Sequence, residues 1–205
     1  GFTMESGIRG RAGDQSTFEL ALFRTRLTGE LVPFEVPSNP GLTYYQNAGR
    51  SLYQGWEASI DTRFSKNISA RFAYTRVDGS FKEFLTDDAD YSGNQIPGLA
   101  PHRVDGQFQV DLDHFYLSFR GLFQDDIPVD NGGQFNSESF FVADTRIGLE
   151  KLEMGSLEVA PFLAVQNLFN AWYNSSVIVN AFGKRFYEPG PGRTFLLGLG
   201  ITWGG

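Results

Sequence analysis

The sequence predicts an all-β fold, an antiparallel up-and-down transmembrane β-barrel to which this chain contributes about nine strands. Three observations predict it. Runs of about ten residues alternate apolar and polar side chains, matching the roughly 9 to 11 residues of a tilted membrane crossing rather than the five or six typical of soluble strands. The connections between runs are alternately short and long. No stretch of the 205 residues approaches the roughly 20 uninterrupted apolar residues that a spanning helix needs, so a helical membrane protein is excluded.

The first run covers 3 to 11. In the second, Phe18, Leu20 and Leu22 alternate with Thr17, Glu19 and Ala21. In the third, Trp56, Ala58, Ile60, Thr62 and Phe64 share one face and Glu57, Ser59, Asp61 and Arg63 the other, because strand side chains repeat every two residues. Past a tight turn, Ile68, Ala70, Phe72 and Tyr74 oppose Ser69, Arg71, Ala73 and Thr75. The fifth run sets Val104, Gly106, Phe108, Val110 and Leu112 against Asp105, Gln107, Gln109 and Asp111. A hairpin at Asp113 and His114 leads to Phe115, Leu117, Phe119 and Phe123 against Tyr116, Ser118, Arg120 and Gln124. The seventh carries Ala143, Thr145 and Ile147 opposite Asp144, Arg146 and Gly148; the eighth has Leu157, Val159, Leu163 and Val165 in phase. Phe195, Leu197, Leu199, Ile201 and Trp203 close the chain.

Short turns near 12 to 15, 65 to 66, 113 to 114 and 151 to 156 alternate with long polar stretches near 28 to 51, 79 to 102, 125 to 138 and 169 to 192. A membrane barrel has this asymmetry between its rims, whereas a soluble sandwich has no reason to show it. The apolar faces are therefore expected to touch lipid and the polar faces to line an enclosed interior. An odd strand count with an open edge is untenable in hydrocarbon, so further strands are expected upstream. The start at Gly1, with Met4 inside a strand-like run, also reads as a piece of a longer protein.

Composition agrees: 15% aromatic residues, with Phe 20 and Gly 24, suits lipid faces, interfaces and tight bends. A net charge of -7 argues against nucleic acid as partner, which needs clustered Lys and Arg. With Cys 0 there is neither a disulfide framework nor a thiolate metal site. His102 and His114 are a whole strand apart, and no serine lies in a nucleophile-elbow context, so no catalytic site is expected. The glycines at 190 and 192 lack the lysine and following helix of a phosphate loop. No cofactor is implied.

Two sets of motifs carry a resemblance. Gly198-Leu199-Gly200-Ile201-Thr202-Trp203 resembles the C-terminal signal read by the barrel-assembly machinery, departing from it at Leu196, where a polar residue is usual, and in the Gly204-Gly205 that follows the aromatic. Several segments in order resemble the TonB-dependent receptor family. They are Asn47-Ala48-Gly49-Arg50-Ser51 leading to Gly55-Trp56-Glu57, then Tyr74-Thr75, then Ile96-Pro97-Gly98 and Pro101-His102-Arg103. Asn167-Leu168-Phe169-Asn170 with Tyr173, and Glu188-Pro189-Gly190-Pro191-Gly192-Arg193, complete the set; the family usually has Asp where Asn170 stands.

The resemblance implies a 22-stranded, monomeric outer-membrane barrel whose C-terminal part is this chain, plugged by an N-terminal domain that lies outside it. It further implies import of a scarce ligand such as a ferric siderophore, with energy from the TonB complex, and long loops outside the cell. A passive porin-like channel is the alternative. Three groups of loop residues are candidates for ligand contact. Asp87, Asp88 and Asp90 beside Tyr91 offer oxygen ligands to a cation. Tyr44, Tyr45 and Arg50 form a second group, and Lys184, Arg185 and Tyr187 a third, suited to an anionic, aromatic-rich chelate. An interfacial aromatic belt and solvated rim charge explain the same residues. On the inner face, Arg71, Arg120 and Arg146 are expected to pair with Asp61, Asp105, Asp111 and Asp144.

Overall fold

The computed structural model describes residues 1–203; Gly204 and Gly205 lie outside the described residues. Nine long strands form one antiparallel sheet: β1 (Phe2–Ala12), β2 (Ser16–Phe34), β3 (Tyr44–Arg63), β4 (Ile68–Glu83), β5 (His102–Leu112), β6 (Phe115–Gln124), β7 (Phe140–Leu149), β8 (Leu157–Gln166) and β9 (Thr194–Trp203). Each pairs with its sequence neighbour, the up-and-down order expected when hairpins are the cheapest closures. The sheet is open, with β1 and β9 at its edges.

Register carries the face assignment. Leu22 lies opposite Trp56, Trp56 opposite Arg76, Tyr74 opposite Val104 and Val104 opposite Phe123, so the even positions of β1 to β5 and the odd positions of β6 share one surface. That surface is apolar and uncovered: Leu20, Ile60, Phe72, Phe108, Leu117 and Ile147 are all exposed, and Leu197 is 86% exposed. Among the described residues no second sheet packs on it, so the sandwich alternative fails. Its apolar band runs from Trp56 on β3 to Phe64 just past its end, and from Phe123 to Phe115 on β6, eight residue steps or about 27 Å along the strand. At the usual tilt of about 40°, this height suits the hydrocarbon layer.

The opposite face carries the charges. Arg71 donates from Nε to Asp61 at 2.5 Å, and Arg120 donates from Nη2 to Asp105 at 2.6 Å. Arg146 departs from the expected carboxylate pairing: its guanidinium lies 3.6 Å from the Phe162 ring centroid, with Tyr116 beyond it. Leu196, in register with Ala164, sits on this same inner side.

Two boundaries differ from the sequence reading. The stretch expected as a loop from 28 to 51 is mostly strand, leaving only 35 to 43 as connection, and β4 continues to Glu83. β3, at 20 residues, is about twice as long as a crossing needs, so these three strands stand well clear of the band. The register of β3 and β4 shifts where Arg50 pairs with Glu83 and Ser51 with Phe81, a β-bulge whose extra residue is Lys82 on β4. At the other rim, the expected turn at 151 to 156 contains a short strand, Leu152–Met154, paired to Leu157–Val159 across Gly155.

Candidate functional site

All four long connections, 35 to 43, 84 to 101, 125 to 139 and 167 to 193, lie on one rim, where buried apolar residues concentrate. The extended tips of β2 to β4 and the 84 to 101 segment bury Val32, Ala48, Phe81, Phe84 and Ile96 together. A second cluster joins the other two connections through Val129, Ala181 and Phe186, with Phe135 stacked on Phe186 at 5.5 Å. Above the lipid a sheet has no oily solvent to face, so its apolar side chains gather into local cores.

Asparagines stitch these cores to each other. Asn180 donates from Nδ2 to the carbonyl of Pro33 at 2.9 Å and to Asn131 Oδ1 at 3.1 Å, and its Oδ1 accepts the Asn131 amide at 2.9 Å. Asn94 donates to the Asn131 carbonyl at 2.8 Å. Residues 147 positions apart in sequence are thereby held together, and the four connections form one interlocked canopy.

Glu35 is the second tie. Its side chain is 8% exposed; its Oε2 accepts the Arg185 guanidinium at 2.7 Å, the Phe182 amide at 3.1 Å and the Gly41 amide at 3.2 Å. Burial works to raise its pKa, but the two amides and Arg185 outweigh it and hold the carboxyl below its ordinary range. Because the folded pKa is depressed, this tie is complete above the ordinary carboxylate range and is lost as the pH falls through the folded value. Exchange protection of the Phe182 amide, corrected for the intrinsic rate, is expected to stay flat from neutral pH to about 5 and to fall below about 4. In Glu35→Gln the protection is expected to be weak and free of that acid step; an identical acid step in the variant would disprove the role of Glu35.

The sequence-derived candidates are distributed over this canopy and do not converge on one point. Arg185 is committed to Glu35, and Arg50 to Glu83 at 2.8 Å. Tyr187 donates to the Asn136 carbonyl, and Lys184 lies 4.5 Å from the Phe135 ring centroid. Tyr44 packs on Phe34 and accepts from Asn39 at 3.1 Å, while Tyr45 is exposed. Tyr91 packs against Phe84, ring centroids 5.3 Å apart and tilted, beside the first core.

Asp90 accepts the Ser92 amide at 2.8 Å, and its bonds to Ser92 lower its pKa against a weaker opposing effect of burial. Asp87 and Asp88 are exposed on the same tip. Among the described residues no three His, Cys, Asp or Glu side chains are gathered to hold a metal ion. The residues that shape the rim but were not candidates are Glu35, Asn94, Asn131 and Asn180, whose roles depend on contacts between distant segments.

Beneath the canopy the inner wall is hollowed. A recess of about 200 Å3 is lined by Arg120, Asp144, Gln166, Asn167 and Tyr173. Nearer the short-turn rim, a polar recess of about 830 Å3 is lined by residues including Arg11, Asp61, Arg63, Arg71 and Gln107. Such walls present hydrogen-bond donors and fixed charges to the inner side of the sheet.

The family-model match is to TonB dependent receptor-like, beta-barrel, over residues 1–168. Among solved structures, the chain is similar to the siderophore receptor PiuA from Acinetobacter baumannii, at 18% identity and a TM-score of 0.75, covering 97% of this chain and 28% of that one. It is similar to the ferric-catecholate import receptor Fiu from E. coli K12 at 21% identity and a TM-score of 0.70, covering 97% and 27%. The ferric citrate transporter FecA matches at 18% identity and a TM-score of 0.75, covering 98% and 31%. The chain thus spans less than a third of the length of each.

Proposed function

Since the chain belongs to the TonB-dependent receptor β-barrel family, whose members are outer-membrane barrels, we propose that it forms the C-terminal wall and outer loops of a ligand importer. The long-loop rim faces the outside of the cell and the tight turns face the periplasm. Further strands close the barrel, because the free edges of β1 and β9 would otherwise leave backbone groups unpaired in hydrocarbon. A plug domain elsewhere in the protein fills the lumen and receives energy from the TonB complex, and the whole acts as a monomer. The cargo is a ferric siderophore or similar iron chelate, taken up by recognition and translocation without covalent chemistry.

The observation that carries this reading is the two-sided sheet, apolar and exposed outward, ion-paired inward, under four connections tied into one canopy. A canopy of this kind can hold a solute above a filled lumen. The siderophore and iron-chelate receptors among the structural relatives support the choice of cargo.

Uptake of iron-55 as ferric siderophores by iron-starved cells tests it. Deleting the gene is expected to remove most uptake of one chelate, and removing the TonB complex is expected to do the same. Uptake that survives loss of TonB would make the protein a passive porin-like channel instead.

A further inference from the structure

The lipid-facing side of β2 to β5 carries an anomaly. On the inner face Arg71 is ion-paired with Asp61 and Arg120 with Asp105. Arg24, Arg26 and Arg76 lie on the outer face, because Arg24 is in register with Gln54, Arg26 with Leu52 and Arg76 with Trp56. All three are exposed, and among the described residues none is ion-paired.

Their height is specific. Trp56 and Tyr74 stack at 4.6 Å where the apolar band ends toward the long loops, the level at which aromatic belts meet headgroups. Arg76 is one pleat above Tyr74, and Arg24 and Arg26 are one and two pleats above Leu22. An arginine facing lipid is costly at the midplane but not at the interface, so this is where an outward cation is tolerated.

Arg76 is also held in place. Its Nη1 donates to His102 Nε2 at 3.1 Å, so His102 carries its proton on Nδ1 and donates to the Tyr74 hydroxyl oxygen at 2.5 Å. Exposed Phe2 and Met4 lie in register with Arg26 and Arg24, placing apolar surface beside the charges. One carboxylate, Asp78, shares the face a pleat above Arg76, with Lys82 further along the strand.

We propose that Arg24, Arg26 and Arg76 form a binding site for the phosphate-bearing headgroup of a lipid in the leaflet on the long-loop side. Planar guanidinium groups bind phosphate oxygens in pairs, and Arg24 and Arg76, two strands and one pleat apart at about 12 Å, can grip one large headgroup or two neighbouring phosphates. Acyl chains then lie on Ile8 and Leu22 below, beside Met4. Lipid is the occupant because the charges continue the oily band directly and, among the described residues, no carboxylate is ion-paired with them. The site rests on the membrane placement of the barrel and not on its cargo.

The receptor is purified from outer membranes in nonionic detergent and titrated with phosphatidic acid, with diacylglycerol as the phosphate-free control, in native mass spectrometry. The R24Q/R26Q/R76Q variant is expected to bind phosphatidic acid more than about tenfold more weakly. R24K/R26K/R76K keeps the charge and is expected to lose only a few-fold, and resistance to SDS without boiling confirms folding of each. R71Q, on the inner face, is expected to leave lipid binding unchanged. The proposal is overturned if the Gln variant binds like wild type, if R71Q weakens binding equally, or if excess inorganic phosphate alone displaces the lipid. Iron-chelate uptake is measured in the same variants, so that an error about cargo changes uptake and leaves the lipid titration intact.

Discussion

Asn167→Ala is expected to destabilise the barrel by about 3 to 5 kcal/mol and to free the segment leading into the last strand. Asn167 is 2% exposed and every polar atom of its side chain is used. Nδ2 donates to the carbonyls of Ala171 at 2.9 Å and Pro191 at 3.1 Å, and Oδ1 accepts the Ala171 amide at 2.7 Å. Its own amide donates to Asp144 on β7 at 2.9 Å. Alanine leaves these buried backbone groups without partners, each costing about 1 to 3 kcal/mol, and the effects overlap because they share one site.

Backbone conformation adds to this, since Asn167 has φ 49, a region in which Asn is tolerated and Ala is not. Asn167→Gly removes the same hydrogen bonds without that strain. It is expected to be about 1 kcal/mol less damaging than Ala. Denaturant midpoints of the detergent-solubilised receptor, read by loss of the unboiled fast-migrating band, separate the two contributions. Equal midpoints for Ala and wild type would show that the loop does not depend on this side chain.

This residue also shows what the family-like motifs encode. Asn170, at φ 53, accepts the Arg193 amide at 3.0 Å, a role Asp performs equally well, which accounts for the one departure from the family pattern. Gly190 is needed because a Cβ there would lie 2.2 Å from the Tyr173 ring. Ala48 lies fully buried in the first loop core. These segments are fasteners of the long-loop rim, and for that reason they are informative about family and silent about cargo.

Within the lipid band the sequence was a sufficient guide, because lipid on one side and a polar lumen on the other force every second residue to declare its face. Outside the band that constraint lapses. The upper halves of β2, β3 and β4 are strands held by pairing and by a small core, so Val32, Phe81 and Phe84 look like stray apolar residues in polar loops. The canopy was unreadable for a different reason. Asn180 with Pro33, and Arg185 with Glu35, are pairings across about 150 positions that no local pattern specifies. Of the nominated loop residues, Arg50 and Arg185 are ion-paired within the rim and Tyr91 packs on Phe84, contacts that no local pattern specifies.

Gly55→Ala is the substitution in β3 with the largest expected effect, a loss of about 3 kcal/mol or more. A Cβ at Gly55 would lie 2.0 Å from the carbonyl oxygen of Arg76 and 2.8 Å from the tip of the Phe23 ring. The ring can swing aside, but the carbonyl belongs to the paired strand and moves only if β3 and β4 separate. Separation weakens the ladder around Gly55 and Val77 and displaces Trp56 from Tyr74, the aromatic pair at the upper edge of the band.

Two other glycines calibrate the result. A Cβ at Gly49 meets the Glu83 carbonyl at 3.0 Å, so Gly49→Ala is expected to cost about 1 kcal/mol. A Cβ at Gly106 has its nearest neighbour at 3.8 Å, and Gly106→Ala is expected to be within about 0.5 kcal/mol of wild type. The order Gly55, Gly49, Gly106 in melting temperature of the unboiled band follows from backbone clearance alone. If Gly55→Ala melts with Gly106→Ala, the close approach of β3 and β4 at this point does not exist, and the register that places Trp56 beside Arg76 must be redrawn.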